Sequence, residues 1–158
     1  MRNIFKSSVY LGSDIQMYDQ NSFYEAFQKD LLIAQDTVII ESPFITTKRI
    51  SDLLPTLLKL VNRGVQVIIN TRNPIEHDGE YKTQALDSIE TLQSFGINVL
   101  YSVKHHRKVA LIDNRIVWNG SLNILSQNDS CELMWRIDSS EAASKLLGFI
   151  NIKAYTRR

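Results

Sequence analysis

The chain is poor in the residues that would place its chemistry outside the cell, in a membrane or on a metal. Its one cysteine, Cys131, excludes an intramolecular disulfide framework. A reducing compartment suits such a chain, so a cytoplasmic location is the expectation. The only histidines are His77, His105 and His106. Two of them are adjacent, which cannot easily reach one ion, and no cysteine cluster stands beside them, so neither a metal nor a cofactor is expected. No run approaches the roughly 18 apolar residues of a membrane span, and residues 1–10 are too polar for the apolar middle of a secretory signal. Charge of one sign is also lacking, since 18 Lys and Arg against 17 Asp and Glu leave a formal net charge of +1. Any binding of phosphate has to come from local clusters. The chain also has no internal repeat and no low-complexity tract.

What is present suits one folded unit. Hydrophobic residues make up 44% and charged residues 22%, far from the composition of a disordered chain. The length of 158 residues gives one core, so a single domain over 1–158 is expected, with residues 1–20 as a lead-in carrying a short strand around 7–11. Phe23, Phe27 and Leu31 recur four apart behind Asn21 or Ser22 as cap, which predicts a helix over 21–35. A strand over 37–42 (TVIIES) stops at Pro43. A second helix is expected from a cap at Ser51, with Leu53, Leu54, Leu57, Leu58 and Val61 inward, Pro55 in its first turn and Gly64 as its stop. A strand over 65–70 follows at once, and this strand, helix, strand order reads as a parallel βαβ unit.

Residues 72–80 read as a loop before a third helix with Leu86, Ile89 and Leu92 inward and Gly96 at its end. Strands over 98–103, 108–112, 115–119 and 133–137 come next, then a helix capped by Ser139 or Ser140 and running through Ile150. The fold class expected is α/β, a mixed and mainly parallel sheet flanked by helices.

The segment from His106 to Asn123, HRKVALIDNRIVWNGSLN, carries the chemistry. His106 and Lys108 are two apart, so on a strand both leave one face. A nucleophile or base beside a fixed cation is suited to attack on a phosphodiester. Asp113 and Asn114 separate two apolar β runs and form a good hairpin turn. A two-residue turn pairs Ile112 with Arg115, Lys108 with Asn119 and His106 with Ser121, and gathers His106, Lys108, Asn119 and Ser121 on one face. A three-residue turn shifts that register by one. Gly120 is expected to clear space for a phosphate, with Ser121 and Asn123 as donors to its oxygens.

This segment resembles the HKD motif of the phospholipase D superfamily, HxKxxxxD followed by a glycine pair or Gly-Ser and then Asn. It is met at His106, Lys108, Asp113, Gly120, Ser121 and Asn123, six positions within eighteen residues. The resemblance implies that His106 forms a phosphohistidine, that Lys108, Ser121 and Asn123 hold phosphate oxygens, and that Asp113 is structural. It further implies that Glu132, in SCELMW, orients the histidine. It extends over 21–155 and implies one lobe of the superfamily's two-lobed fold. Because the chain has one motif, the resemblance implies a homodimer with the active site at its two-fold axis. Gly-Ser in place of Gly-Gly favours nucleic acid as substrate. The activity implied is a metal-independent phosphodiesterase, a nuclease on DNA or RNA.

Two other functions stand beside this one. A non-catalytic nucleic-acid-binding or targeting domain, cut from a larger helicase or restriction enzyme, agrees with the near-neutral charge. A lipid phosphodiesterase would need a basic or amphipathic membrane face, and the sequence offers none. Outside the motif, His105 is expected to be structural or solvent-exposed, Lys104 and Arg107 to be solvated or to touch substrate backbone, and Glu41 to be a solvated strand-end acid or to face the site. Trp118 and Trp135 are expected in the core or at an interface.

Overall fold

The β-branched run at 37–41 becomes the centre of the molecule because both of its faces are covered. In the computed structural model, which describes residues 9–10, 14–126 and 129–151, eight strands form one sheet. They are β1 (Val9–Tyr10), β2 (Ile15–Asp19), β3 (Thr37–Glu41), β4 (Gln66–Arg72), β5 (Asn98–Ser102), β6 (Val109–Ile112), β7 (Ile116–Gly120) and β8 (Leu133–Asp138). Their spatial order is β1-β2-β8-β7-β6-β3-β4-β5. Four helices accompany them among the described residues: α1 (Phe23–Ile33), α2 (Thr47–Asn62), α3 (Gly79–Ser94) and α4 (Ser140–Ile150). The strand expected around 7–11 falls largely outside the described residues, which include only β1 of it.

The expected βαβ unit is present, with β3 parallel to β4 and β4 parallel to β5 across α2 and α3. The expectation of a mainly parallel sheet is corrected. Five pairings are antiparallel, β1–β2, β2–β8, β3–β6, β6–β7 and β7–β8. A parallel pairing needs a long crossover, usually a helix, and among the described residues no helix intervenes from β5 through β8.

One face of the sheet packs Val38, Ile40, Ile69, Ala110, Ile112 and Trp118 against Phe23, Phe27, Leu53, Leu57, Ile89 and Leu92 of α1 to α3. The other packs Ile39, Ile68, Leu111 and Val117 against Ala143 and Ile150 of α4. Burial on both faces explains why β3 and β6 are continuous apolar runs without alternation.

Three boundaries differ from the sequence pattern. Helix α2 starts four residues before Ser51, capped by Thr46, whose hydroxyl accepts from the Arg49 N–H at 3.4 Å. Its polar first turn hid the start, and Pro55 therefore lies in the helix interior. In α3 the buried residues are Ala85, Ser88, Ile89 and Leu92, while Leu86 is exposed. A strict repeat of three drifts off a 3.6-residue turn, whereas 85, 88, 89 and 92 stay on one face. The β6–β7 turn takes three residues, so Ile112 pairs with Ile116 and Val109 with Asn119. Arg115 is the extra residue, held out of the ladder because its carbonyl accepts from Ser139 N–H at 2.9 Å and its side chain pairs with Asp138 at 2.7 Å.

Candidate active site

His106 and Lys108 leave the segment joining β5 to β6, and a buried anchor fixes that segment. Glu41 ends β3 with no exposure at all. Arg107 grips it with both arms of the guanidinium, Nε to Oε2 at 2.5 Å and Nη2 to Oε1 at 2.9 Å, and Asn70 Nδ2 donates to Oε1 at 2.9 Å. Arg107 thus turns inward between two neighbours that turn outward. The His105 carbonyl accepts from Arg72 Nε at 3.0 Å, and the His105 ring is buried. Burial pushes its pKa below the usual histidine value, opposed by Glu41 and assisted by Arg107, Arg72 and Lys108. His105 is therefore a buried structural group, and Glu41 is neither solvated nor site-facing but an internal counter-ion.

His106 is exposed, and its Nε2 lies 3.3 Å from Lys108 Nζ, which also donates to the His106 carbonyl at 2.9 Å. An ammonium can only donate. Where Nε2 accepts this contact, its lone pair is engaged by Lys108 and must leave the ammonium before it can act as a nucleophile. Burial draws the Lys108 ammonium below the usual lysine range, with the Glu132 charge opposing and Arg72 adding to the shift.

The one-residue register shift breaks the expected face of His106, Lys108, Asn119 and Ser121. Gly120, not Asn119, lies beside Lys108, its N–H donating to the Lys108 carbonyl at 3.4 Å. The requirement for glycine is also different from the expected one. A Cβ at Gly120 would lie 2.1 Å from the Leu133 carbonyl oxygen and 2.8 Å from Met134 Cα, so β8 and not a ligand fills the space. Ser121 remains in the site region: its hydroxyl donates to Glu132 Oε2 in a very short bond and accepts from Leu133 N–H at 3.1 Å. Ser130 donates to the other Glu132 oxygen at 2.6 Å. Within one chain Glu132 thus holds two serine hydroxyls, beside the Lys108 charge. Asn123 is half-buried, and its Oδ1 has no hydrogen-bond partner.

Asp113 is distant in role from all of these. Its carboxylate accepts from the backbone N–H groups of Gln35, Asp36 and Thr37 at 2.9, 2.9 and 3.1 Å, tying the hairpin turn to the start of β3. Trp118 is fully buried with Nε1 on Asp30 at 2.8 Å, while Trp135 is partly exposed. The Glu41–Arg107 pair had no sequence signal beyond an acid at a strand end and a basic cluster. Lys104 adopts a left-handed backbone, with its N–H on the Glu76 carboxylate at 2.9 Å. Among the described residues no group of three or more His, Cys, Asp or Glu is placed to hold a metal ion, and no helix is long and apolar enough to cross a membrane.

The histidine and lysine in contact stand just before β6, and the Gly-Ser-x-Asn run starts at the last residue of the adjoining β7. Residues 28–151 match the family described as cardiolipin synthase, PLD-like domain. The chain belongs to the phospholipase D superfamily, whose members act on phosphodiester bonds. In backbone it is similar to Nuc from Salmonella typhimurium, a phospholipase D family member, with a TM-score of 0.70 at 19% identity over 85% of this chain and 90% of that one. It is similar to NucT from Helicobacter pylori with a TM-score of 0.70 at 20% identity over 85% of this chain and 91% of that one. An uncharacterized protein of Streptococcus mutans serotype c is 27% identical along 136 residues, and the match takes in 75% of this chain and 28% of the relative. The chain thus spans little more than a quarter of that relative's length.

Proposed function

We propose that this chain is a metal-independent phosphodiesterase that hydrolyses DNA or RNA through a phosphohistidine on His106, in a site completed by a second copy of the chain. The observation that carries the reading is the exposed His106 Nε2 at 3.3 Å from Lys108 Nζ. A nucleophilic lone pair there has a cation within reach of the phosphate oxygens.

In the first step His106 Nε2 attacks phosphorus, and the leaving oxygen takes a proton from His106 of the second copy, its general acid. In the second step that same histidine, now neutral, takes a proton from water, the water oxygen attacks phosphorus, and the P–N bond breaks to restore His106. Two Lys108 side chains and the Asn123 amide neutralise and hold the phosphate oxygens, and Ser121 joins them once its hydroxyl proton turns from Glu132 to the phosphate. Glu132 keeps Ser121 in place and sets a negative charge beside Lys108. The histidine-orienting role that the resemblance implies for Glu132 requires its carboxylate to leave one serine hydroxyl for an imidazole Nδ1–H. Nucleic acid is chosen over lipid because the sequence has no basic or amphipathic membrane face.

The test is incubation of purified protein with single- and double-stranded DNA and RNA in excess chelator, with acid-quenched samples examined for covalently bound phosphate on His106. Cleavage in chelator, absent from His106→Ala, is the expected result. Activity lost in chelator and restored by magnesium or manganese would overturn the mechanism. Equal nucleic-acid binding by wild type and His106→Ala, with no cleavage by either, would assign the chain to the binding-module class.

A further inference from the structure

A cleft of about 350 Å³ opens between the start of α1, the first turn of α2 and residues 122–126 and 129–132. Tyr24, Arg49, Asn123, Ser126, Ser130 and Glu132 are among its walls, so it adjoins the site at Asn123 and Glu132. Arg49 is its unusual member. It is only 9% exposed. Its guanidinium lies over the Tyr24 ring with Cζ 3.2 Å from the centroid. The nearest carboxylate, Asp52, is 4.0 Å away, and Nε is buried without a hydrogen-bond partner. Burying a cation with unpaired donors is unfavourable unless an acceptor arrives. Within the helix its ionic contact is that long i,i+3 pair with Asp52, and the dipole at the first turn favours anions over cations.

Tyr24 couples this arginine to the site. Its ring carries Arg49, while its hydroxyl lies 3.3 Å from the Asn123 carbonyl, 3.1 Å from that of Ile124 and 3.2 Å from that of Ser126. Burial pushes the Tyr24 phenol up to about 12, so it stays a donor. Asn123 supplies the complementary want, a buried Oδ1 with no donor. Glu132 and the exposed Asp129 also line the cleft, so an anion on Arg49 needs further contacts to outweigh them. A nucleotide unit offers an anionic phosphate together with sugar and base donors.

We infer that this cleft is a subsite for the nucleotide adjoining the scissile phosphate, with Arg49 on its phosphate and Asn123 accepting from its sugar or base once its buried Oδ1 turns into the cleft. The inference rests on the nuclease reading of the neighbouring site.

The test compares wild type and Arg49→Gln on an oligonucleotide, on the same oligonucleotide with uncharged methylphosphonate linkages flanking the scissile one, and on bis(p-nitrophenyl) phosphate, which has a single phosphodiester. Loss of one charge-assisted contact lowers kcat/KM by about 10–100-fold. That loss is expected for Arg49→Gln on the natural oligonucleotide, for wild type on the methylphosphonate, and no further for the two combined. Bis(p-nitrophenyl) phosphate should be cut equally by both proteins. Additive losses, an equal loss on bis(p-nitrophenyl) phosphate, or no loss at all would overturn the subsite. If no polynucleotide is cut, the nuclease reading fails on its own, and titration calorimetry with a 5′-phosphorylated dinucleotide decides the subsite. Binding tenfold or more weaker in Arg49→Gln supports it. No binding, or equal binding, overturns it.

Discussion

At the scale of single residues, the arrangement turns on one side chain anchored on Glu41 between the two residues of the His106–Lys108 contact. Arg107 sits between His106 and Lys108, and its bidentate grip on the buried Glu41 sets the direction of both. Lysine keeps the charge but not the planar fork. Arg107→Lys is therefore expected to lower kcat by about tenfold or more with KM little changed, because misplacement of a reacting group by a fraction of an ångström is costly to turnover. Steady-state kinetics on a cleaved substrate check this, and an unchanged kcat would reduce the pair to a stabilising contact. His105 makes a different prediction. It and His77 are buried with pKa values lowered from the ordinary 6.5, so the unfolded chain binds protons more readily than the folded one just below that pH. Stability is complete above about pH 7 and falls as pH drops through 6.5 toward the folded pKa. Thermal melts from pH 7.5 to 5 should show this slope, and His105→Gln should flatten it; identical slopes would assign the loss to other groups.

At the scale of elements, the hairpin carries the anchoring of the motif. Asp113 accepts three backbone N–H groups across seventy-six or more residues of sequence. Asp113→Asn turns one acceptor into a donor facing an N–H, which should cost about 1.5–3 kcal/mol and lower Tm by several degrees. Gly120→Ala should be worse, since its Cβ would lie 2.1 Å from the Leu133 carbonyl and force β7 from β8. A Tm within a degree of wild type for both would deny these contacts any weight. Much of this was legible in the sequence: the spacing from His106 to Asn123 marked the candidate site, and TVIIE and QVIIN marked the buried strands. The register was not, because it depends on Ser139 and Asp138 holding Arg115 from another strand. The Glu41–Arg107 anchor and the Arg49–Tyr24 stack were equally silent, since each joins residues whose partner is set by tertiary packing and not by spacing. The purpose of Gly120 was misread for the same reason, as the atom excluding its side chain belongs to β8.

At the scale of the whole molecule, the proposed reaction demands a nucleophile and a separate acid, and the candidate site offers one exposed histidine. His105 is buried and His77 is buried beside Phe44, so neither is placed to protonate a leaving oxygen. Two copies related by a two-fold axis bring His106 and its counterpart to opposite sides of one phosphate, giving one composite site per dimer. Every dimer that contains one His106→Ala subunit then lacks either nucleophile or acid. Activity in a mixture of wild type and His106→Ala should therefore fall as the square of the wild-type fraction. The measurement is co-refolding at graded ratios, proof of subunit exchange by mass, and initial rates at fixed total protein. A linear dependence, or full activity in a species that sediments as a monomer at assay concentration, would mean that each chain holds a complete site. The acid would then have to be sought in Lys108, whose ammonium burial has already made easier to deprotonate.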